Sequence, residues 1–332
     1  MIGRYETVLN EYNKSGFTSV ASLGYNIPPF LSKYISSKNF HPRIRQFFYL
    51  VPDELKYLPE SPDTSNNFFQ ILGIKLWHDG SPYMGGMLID EPYLDNDLTQ
   101  KLGIQSGSKG QASIETKELS SLIDNALAKN WQVSIHSQGD LSNKQVLQSI
   151  QSISPRVSMN SKPIRIEHSL LVSKESLASY SKLGVTPSFH INHIYYYGDA
   201  LNNSIIGKDR AERILPIKLA FELNMHPSLH ADSPMFPANA FSLMKTATTR
   251  KTKSGVILGQ DQAISIKEAL RAMTINPAYQ LGMSDKIGSI EVGKFADLQI
   301  INKNPYTVEA SDLDTIETIQ VFVNGREQIE NE

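Results

Sequence analysis

The stretch 164–190, IRIEHSLLVSKESLASYSKLGVTPSFH, decides how the chain is to be folded. It opens on an apolar run, 164–171, and passes through a segment from Lys174 to Leu183 whose apolar residues return at helical spacing. A second short run, 185–190, closes it. Strand, helix, strand at this spacing predicts a parallel sheet covered by helices.

The same texture extends in both directions. Strand-like runs occupy 18–25, 44–51, 73–80, 132–139 and 226–233, which with the two above makes seven. Between Glu118 and Lys129, Leu119, Leu122, Ile123, Ala126 and Leu127 recur at helical spacing, and 212–223 reads as a further helix. The fold class is therefore α/β, either a doubly wound sheet or a TIM-type (β/α)8 barrel. Polar residues choose between them. No glycine-rich turn follows the early strands, as a doubly wound nucleotide-binding sheet requires. His136, His168 and Asp232 instead fall near the C-terminal ends of different strands, where a barrel gathers its catalytic groups.

From about residue 286 the pattern changes to a turn, strands and a hairpin. Two units are expected: a barrel-type unit over 1–285 and a small β appendage over 286–332. The segment 82–111, rich in Gly, Asp and Ser, reads as a long loop on the substrate side.

Composition narrows the partners. The 332 residues are 40% hydrophobic, with 34 acidic and 32 basic side chains and a net charge of -2, so nothing favours nucleic acid or an anionic membrane. There is no cysteine, which leaves His, Asp, Glu and Lys as candidate metal ligands. Without a secretory apolar segment or a run of about 20 apolar residues, the expected location is cytoplasmic.

In GIKLWHDG, 73–80, alternation sets Ile74 and Leu76 on one face and Lys75 with Trp77 on the other, towards the barrel interior. A buried ammonium must be paired, neutralised or chemically altered. One resolution is reaction of the neutral amine with carbon dioxide to give a carbamate, an anionic metal ligand. In VSIHSQGD, His136 falls with the inward set. Alternation groups His168 with Ile164 and Ile166, which leaves its direction open. In SLHADSP, Asp232 is in register with Ser228 and His230.

Neutral imidazoles and a carboxylate at a barrel mouth suit Zn²⁺, with Asp232 also placed to take a proton from water. His190, His193 and Asp79 are candidates for contacting substrate, and Tyr83, Met84 and the tyrosines at 195–197 for lining its pocket. The segment GSIEVGK, 288–294, has the spacing of a phosphate-binding loop. Phe295 replaces the expected Ser or Thr and a strand follows, so an ATP site is rejected.

Taken together, IKLWHDGS, VSIHSQGD, RIEHSLLVSKESLASYSKLGVTPSFHINH, HADSP and EALRAMTINPAYQLGMSDKIGSIEVGKFADLQIINKNP resemble the metal-dependent amidohydrolase superfamily. The resemblance is to its family 3 branch, which includes N-substituted formamide deformylase-like enzymes. It implies a carboxylated Lys75, metal ligands at His136 and His168, and Asp232 as ligand and general base. It implies hydrolysis of non-peptide carbon–nitrogen amide-type bonds in a small molecule, using one or two divalent ions. The C-terminal strands would be part of that family's small β-sandwich domain.

The family's His-x-His pair has no counterpart among the eight histidines, 41, 78, 136, 168, 190, 193, 226 and 230. The chain is thus expected to be a barrel lacking its first strand, with one metal half-site at Lys75, His136 and His168 that holds a single zinc ion or none. Two further expectations follow: association, with a second copy or a complementing N-terminal chain, or a catalytically inactive protein with a structural or partner-binding role.

Overall fold

A computed structural model describes residues 2–25, 43–53, 60–159 and 162–328; His41 lies outside the described residues. All seven expected strands form one parallel sheet in sequence order: β1 (Ser19–Tyr25), β2 (Arg45–Leu50), β3 (Phe69–Trp77), β4 (Gln132–Ser137), β5 (Arg165–His168), β6 (Thr186–Phe189) and β7 (Ser228–Leu229). The sheet curls as a partial barrel with β1 and β7 as its edges.

Outer-facing Ile74, Leu76, Val133, Ile135 and Ile166 pack against the helices, among them Leu119 and Ile123 of Thr116–Ala128 and Leu177 and Tyr180 of Lys174–Lys182. The latter helix begins where Ser173 accepts a hydrogen bond from the Ser176 amide. The helix expected over 212–223 is shorter, Ile217–Glu222. Leu215 has a positive φ of 50°, and Pro216 has no N–H to donate into a preceding turn.

The inner face is polar and layered. Near the strand starts, Phe47, Tyr49 and Leu72 meet Ala278, Leu281, Met283 and Ile287 and plug that end. Above them, Gln132 donates to the carbonyls of Pro163 and Gln280, while Ser228 donates to Gln280 and Gln280 to Thr186. Next come Arg165 and Glu167, paired at 3.0 Å, with Ser134 donating to Glu167 at 2.8 Å. Leu72 and Lys75 both face inwards, although they are three residues apart, because the β2–β3 register slips between Phe48 and Tyr49.

Three antiparallel strands, β8 (Leu298–Ile301), β9 (Thr318–Val323) and β10 (Arg326–Glu327), form the expected appendage. The β9–β10 turn uses Asn324 and Gly325, both at positive φ, as a tight hairpin requires. A buried ion pair joins this sheet to the barrel. Arg45 Nε lies 2.6 Å from Asp297 Oδ2, and Arg45 Nη2 3.0 Å from Asp297 Oδ1. Among the described residues no helix is long and apolar enough to cross a membrane.

Candidate metal centre

Lys75 faces inwards, as alternation predicts, and is 3% exposed. Burial pulls its amine down to about 8, a fall that nearby Glu167 partly opposes. Its Nζ has no hydrogen-bond partner among the described residues.

His136 lies beside it at the end of β4, its ring centroid 4.3 Å from that of His168. Sheet parity alone would send His168 outwards, since its register partners are Ser137 and Phe189. His168 instead adopts φ 73° and Ser169 φ 50°, so the chain leaves β5 in the left-handed region and turns the imidazole to the mouth. A non-glycine residue held there stores about 1–3 kcal/mol of strain, an expense concentrated at functional sites.

His168 meets two further histidines. Ligand atoms of His168, His190 and His230 all lie within 4.8 Å of one another. His230 Nε2 is 3.3 Å from His168 Nδ1, while His230 Nδ1 is held 2.8 Å from Ser188 Oγ. His193 stands next to His190, with centroids 4.3 Å apart, and its Nδ1 is hydrogen-bonded to the Tyr83 hydroxyl. Phe236 flanks His190 and stacks on Tyr196, adding an apolar wall.

Burial pushes His136 and His190 down to about 3 and His168, His193 and His230 well below their ordinary value, so these rings are neutral. Neutral imidazole is the form that binds metal.

The donor set fits a divalent ion on two counts. First, Lys75 Nζ and His190 Nε2 are buried without hydrogen-bond partners among the described residues, an arrangement that folded proteins avoid unless a ligand satisfies it, whereas His136 Nε2 lies 3.6 Å from Asp79 Oδ1. Second, two nitrogens bound tetrahedrally to one zinc at about 2.0–2.1 Å stand roughly 3.3–3.4 Å apart. The His168–His230 separation matches that edge.

The other expected residues are placed differently. Asp232, at φ 56°, lies exposed at the rim outside the three-histidine cluster, although within electrostatic reach of Lys75. Its carboxyl is held above the usual range, mainly by desolvation. Asp79, expected at the substrate, is 2% exposed, and its Oδ1 lies 3.6 Å from His136 Nε2. It accepts from the amides of Leu88, Gln138 and Gly139 at 2.9–3.1 Å, tying the loop after β3 to the end of β4. Met84 is exposed, while the rings of Tyr83 and Tyr197 pack tilted by 35°, their centroids 4.0 Å apart.

His230 and Glu167 were not singled out by sequence reasoning. The signal for each was present: His230 shares the parity of Ser228, and Glu167 that of Arg165.

Residues 2–328 match the family model described as the amidohydrolase family. N-substituted formamide deformylase of Arthrobacter pascens is 26% identical over 193 residues, which are 58% of this chain and 35% of that one. Amidohydrolase YtcJ of Bacillus subtilis is 22% identical over 271 residues, 79% of this chain and 48% of that one. The crystal structure of an uncharacterized metal-dependent hydrolase from Pyrococcus horikoshii superposes with a TM-score of 0.79 at 26% identity, covering 92% of this chain and 60% of that one. The chain spans between a third and a half of the length of these two curated relatives.

Proposed function

The chain belongs to the amidohydrolase family, and on that premise we propose that it is a metal-dependent hydrolase of non-peptide carbon–nitrogen amide-type bonds in a small molecule. Its ion is held where Lys75, His136 and His168 meet His190 and His230. The observation that supports this reading is the convergence of ligand atoms of His168, His190 and His230 at one end of the sheet, with the buried Lys75 amine within electrostatic reach. Zinc is the ion that such neutral nitrogen donors suit. When bound, it supplies Lewis acidity that makes water nucleophilic near neutral pH.

The chain's own groups do the rest. Lys75, with its amine drawn towards neutrality, forms a nitrogen–carbon bond to carbon dioxide and loses a proton, which turns a costly buried ammonium into an anionic oxygen ligand. Asp232, at the rim with a raised affinity for protons, takes one from the attacking water and passes it to the departing amine nitrogen. His193 faces the substrate, and the Phe236–Tyr196 wall packs its apolar part.

The test is metal content by mass spectrometry on protein purified with Zn²⁺ and bicarbonate, with turnover of simple N-acyl and N-formyl amines measured alongside. The wild type is expected to retain stoichiometric metal, and His168→Ala to lose affinity by about 100-fold or more. Lys75→Ala and His230→Ala report separately on the two sides of the cluster. Metal-free wild type without turnover would sink the hydrolase reading and leave a structural or partner-binding role.

A further inference from the structure

Tyr83 and His193 come from segments far apart in sequence, the turn after β3 and the first turn of helix Asn192–Ala200. Their contact raises a question of direction, because either the phenol O–H or the imidazole N–H can be the donor.

Counting satisfied groups answers it. If the phenol donates to Nδ1, both of those atoms are satisfied and one group, an N–H on Nε2, is left over. If Nδ1–H donates to the phenol oxygen, two are left over: a lone pair on Nε2 and a phenol hydrogen with no other acceptor among the described residues. The first arrangement has the lower cost. His193 is 2% exposed, so its Nε2 is poorly placed to be satisfied by bulk water. That atom lies on the ring edge away from Tyr83, and the ring adjoins His190 of the cluster. His193 is not itself one of the three histidines whose ligand atoms converge.

We propose that Tyr83 holds His193 as its Nε2–H tautomer, making that N–H a fixed hydrogen-bond donor to a carbonyl-type oxygen of the substrate and not a metal ligand or a proton acceptor. The proposal rests on the reading of this mouth as the reaction site. It makes Tyr83 a positioning residue, and it requires a substrate that presents an oxygen acceptor towards the helix Asn192–Ala200. A donor fixed before the reaction gains strength as charge develops on that oxygen, and loss of one such donor typically lowers kcat by about 100- to 1000-fold.

The experiment is proton–nitrogen correlation of the imidazole rings on the full chain, purified with Zn²⁺ and bicarbonate, with His193 assigned by its disappearance in His193→Gln. The wild type is expected to carry its proton on Nε2, and Tyr83→Phe to show both tautomers. N-methylacetamide should shift the His193 Nε2 proton in the wild type and shift it less in Tyr83→Phe. Where turnover is measurable, Tyr83→Phe should lower kcat about tenfold with KM nearly unchanged, a smaller loss than for removal of the donor itself. A proton on Nδ1, a zinc-bound Nε2, or a Nε2 proton indifferent to N-methylacetamide would each overturn the proposal. Absence of turnover in the wild type would count against the hydrolase reading alone, since the tautomer and amide titration decide this one without it.

Discussion

Ser188 shows how much of the candidate centre depends on residues that bind nothing themselves. Its hydroxyl, 2.8 Å from His230 Nδ1, directs the other ring nitrogen towards His168. Such outer partners commonly account for about 10- to 100-fold in metal affinity. Ser188→Ala is therefore expected to weaken Zn²⁺ binding by that factor while leaving the fold intact, checked by competition with a chromophoric chelator. The left-handed backbone at His168 has the opposite character: it costs stability and serves placement. His168→Gly should recover part of the strain energy and raise the thermal midpoint of metal-free protein relative to His168→Ala, measured by calorimetry. At this scale Lys75 and His136 were legible, because each lies within a regular strand and alternation fixes its side. His168 was not, because its direction is set by left-handed backbone at the last residue of β5 and at Ser169 after it. Asp79 shows a related limit: a carboxylate two residues past a strand end has the same look in sequence whether or not it also accepts from backbone amides.

The elements around these residues are held by a few close fits. Gly73 lies at the register slip that lets Leu72 and Lys75 share a face, and a Cβ there would stand 1.8 Å from the Gln132 carbonyl oxygen. Gly73→Ala must force β3 away from β4, so a loss of several kcal/mol in unfolding free energy is expected, comparable to about 3–5 kcal/mol for a severe core substitution. Denaturant titration would show it, together with loss of metal retention, since Lys75 and His136 sit on those two strands. The Arg45–Asp297 pair makes a separate claim. Both partners are buried, so Asp297→Ala leaves a guanidinium uncompensated and should cost about 3–5 kcal/mol, whereas Arg45→Met with Asp297→Leu should recover much of it. The strands and most helices were legible because each is a short apolar run bounded by turn residues. The ion pair was not, since its partners are separated by 252 positions and nothing local couples them.

For the molecule as a whole, protonation and metal act on the same equilibrium. Burial holds His78 down to about 4 against an ordinary value of 6.5, while its Nδ1 rests 2.8 Å from Ser142 Oγ. Between those values the unfolded chain binds a proton that the folded chain refuses, so stability is full above about 6.5 and falls as the pH drops towards 4. Urea midpoints of chelator-treated protein at pH 7.5, 6 and 5 should decline in that order, and His78→Gln should flatten part of the decline. Zn²⁺ at 100 times its dissociation constant should add about 2.7 kcal/mol, an increment read from the same titrations at pH 7.5. The barrel class was legible from the order of strands and helices, and so was the β appendage. The curl of the sheet belongs to that class, since it is the twist summed over seven strands. That curl has a mechanical meaning. Hydrogen bonds around a closed ring lock its circumference, but among the described residues β1 and β7 are rims, and across the sheet between them the opening of the mouth follows the elastic twist between neighbours. The histidines of the cluster hang from the ends of β5, β6 and β7, so an ion held by all three would work as a drawstring on one side of the cup, stiffening strands it never touches.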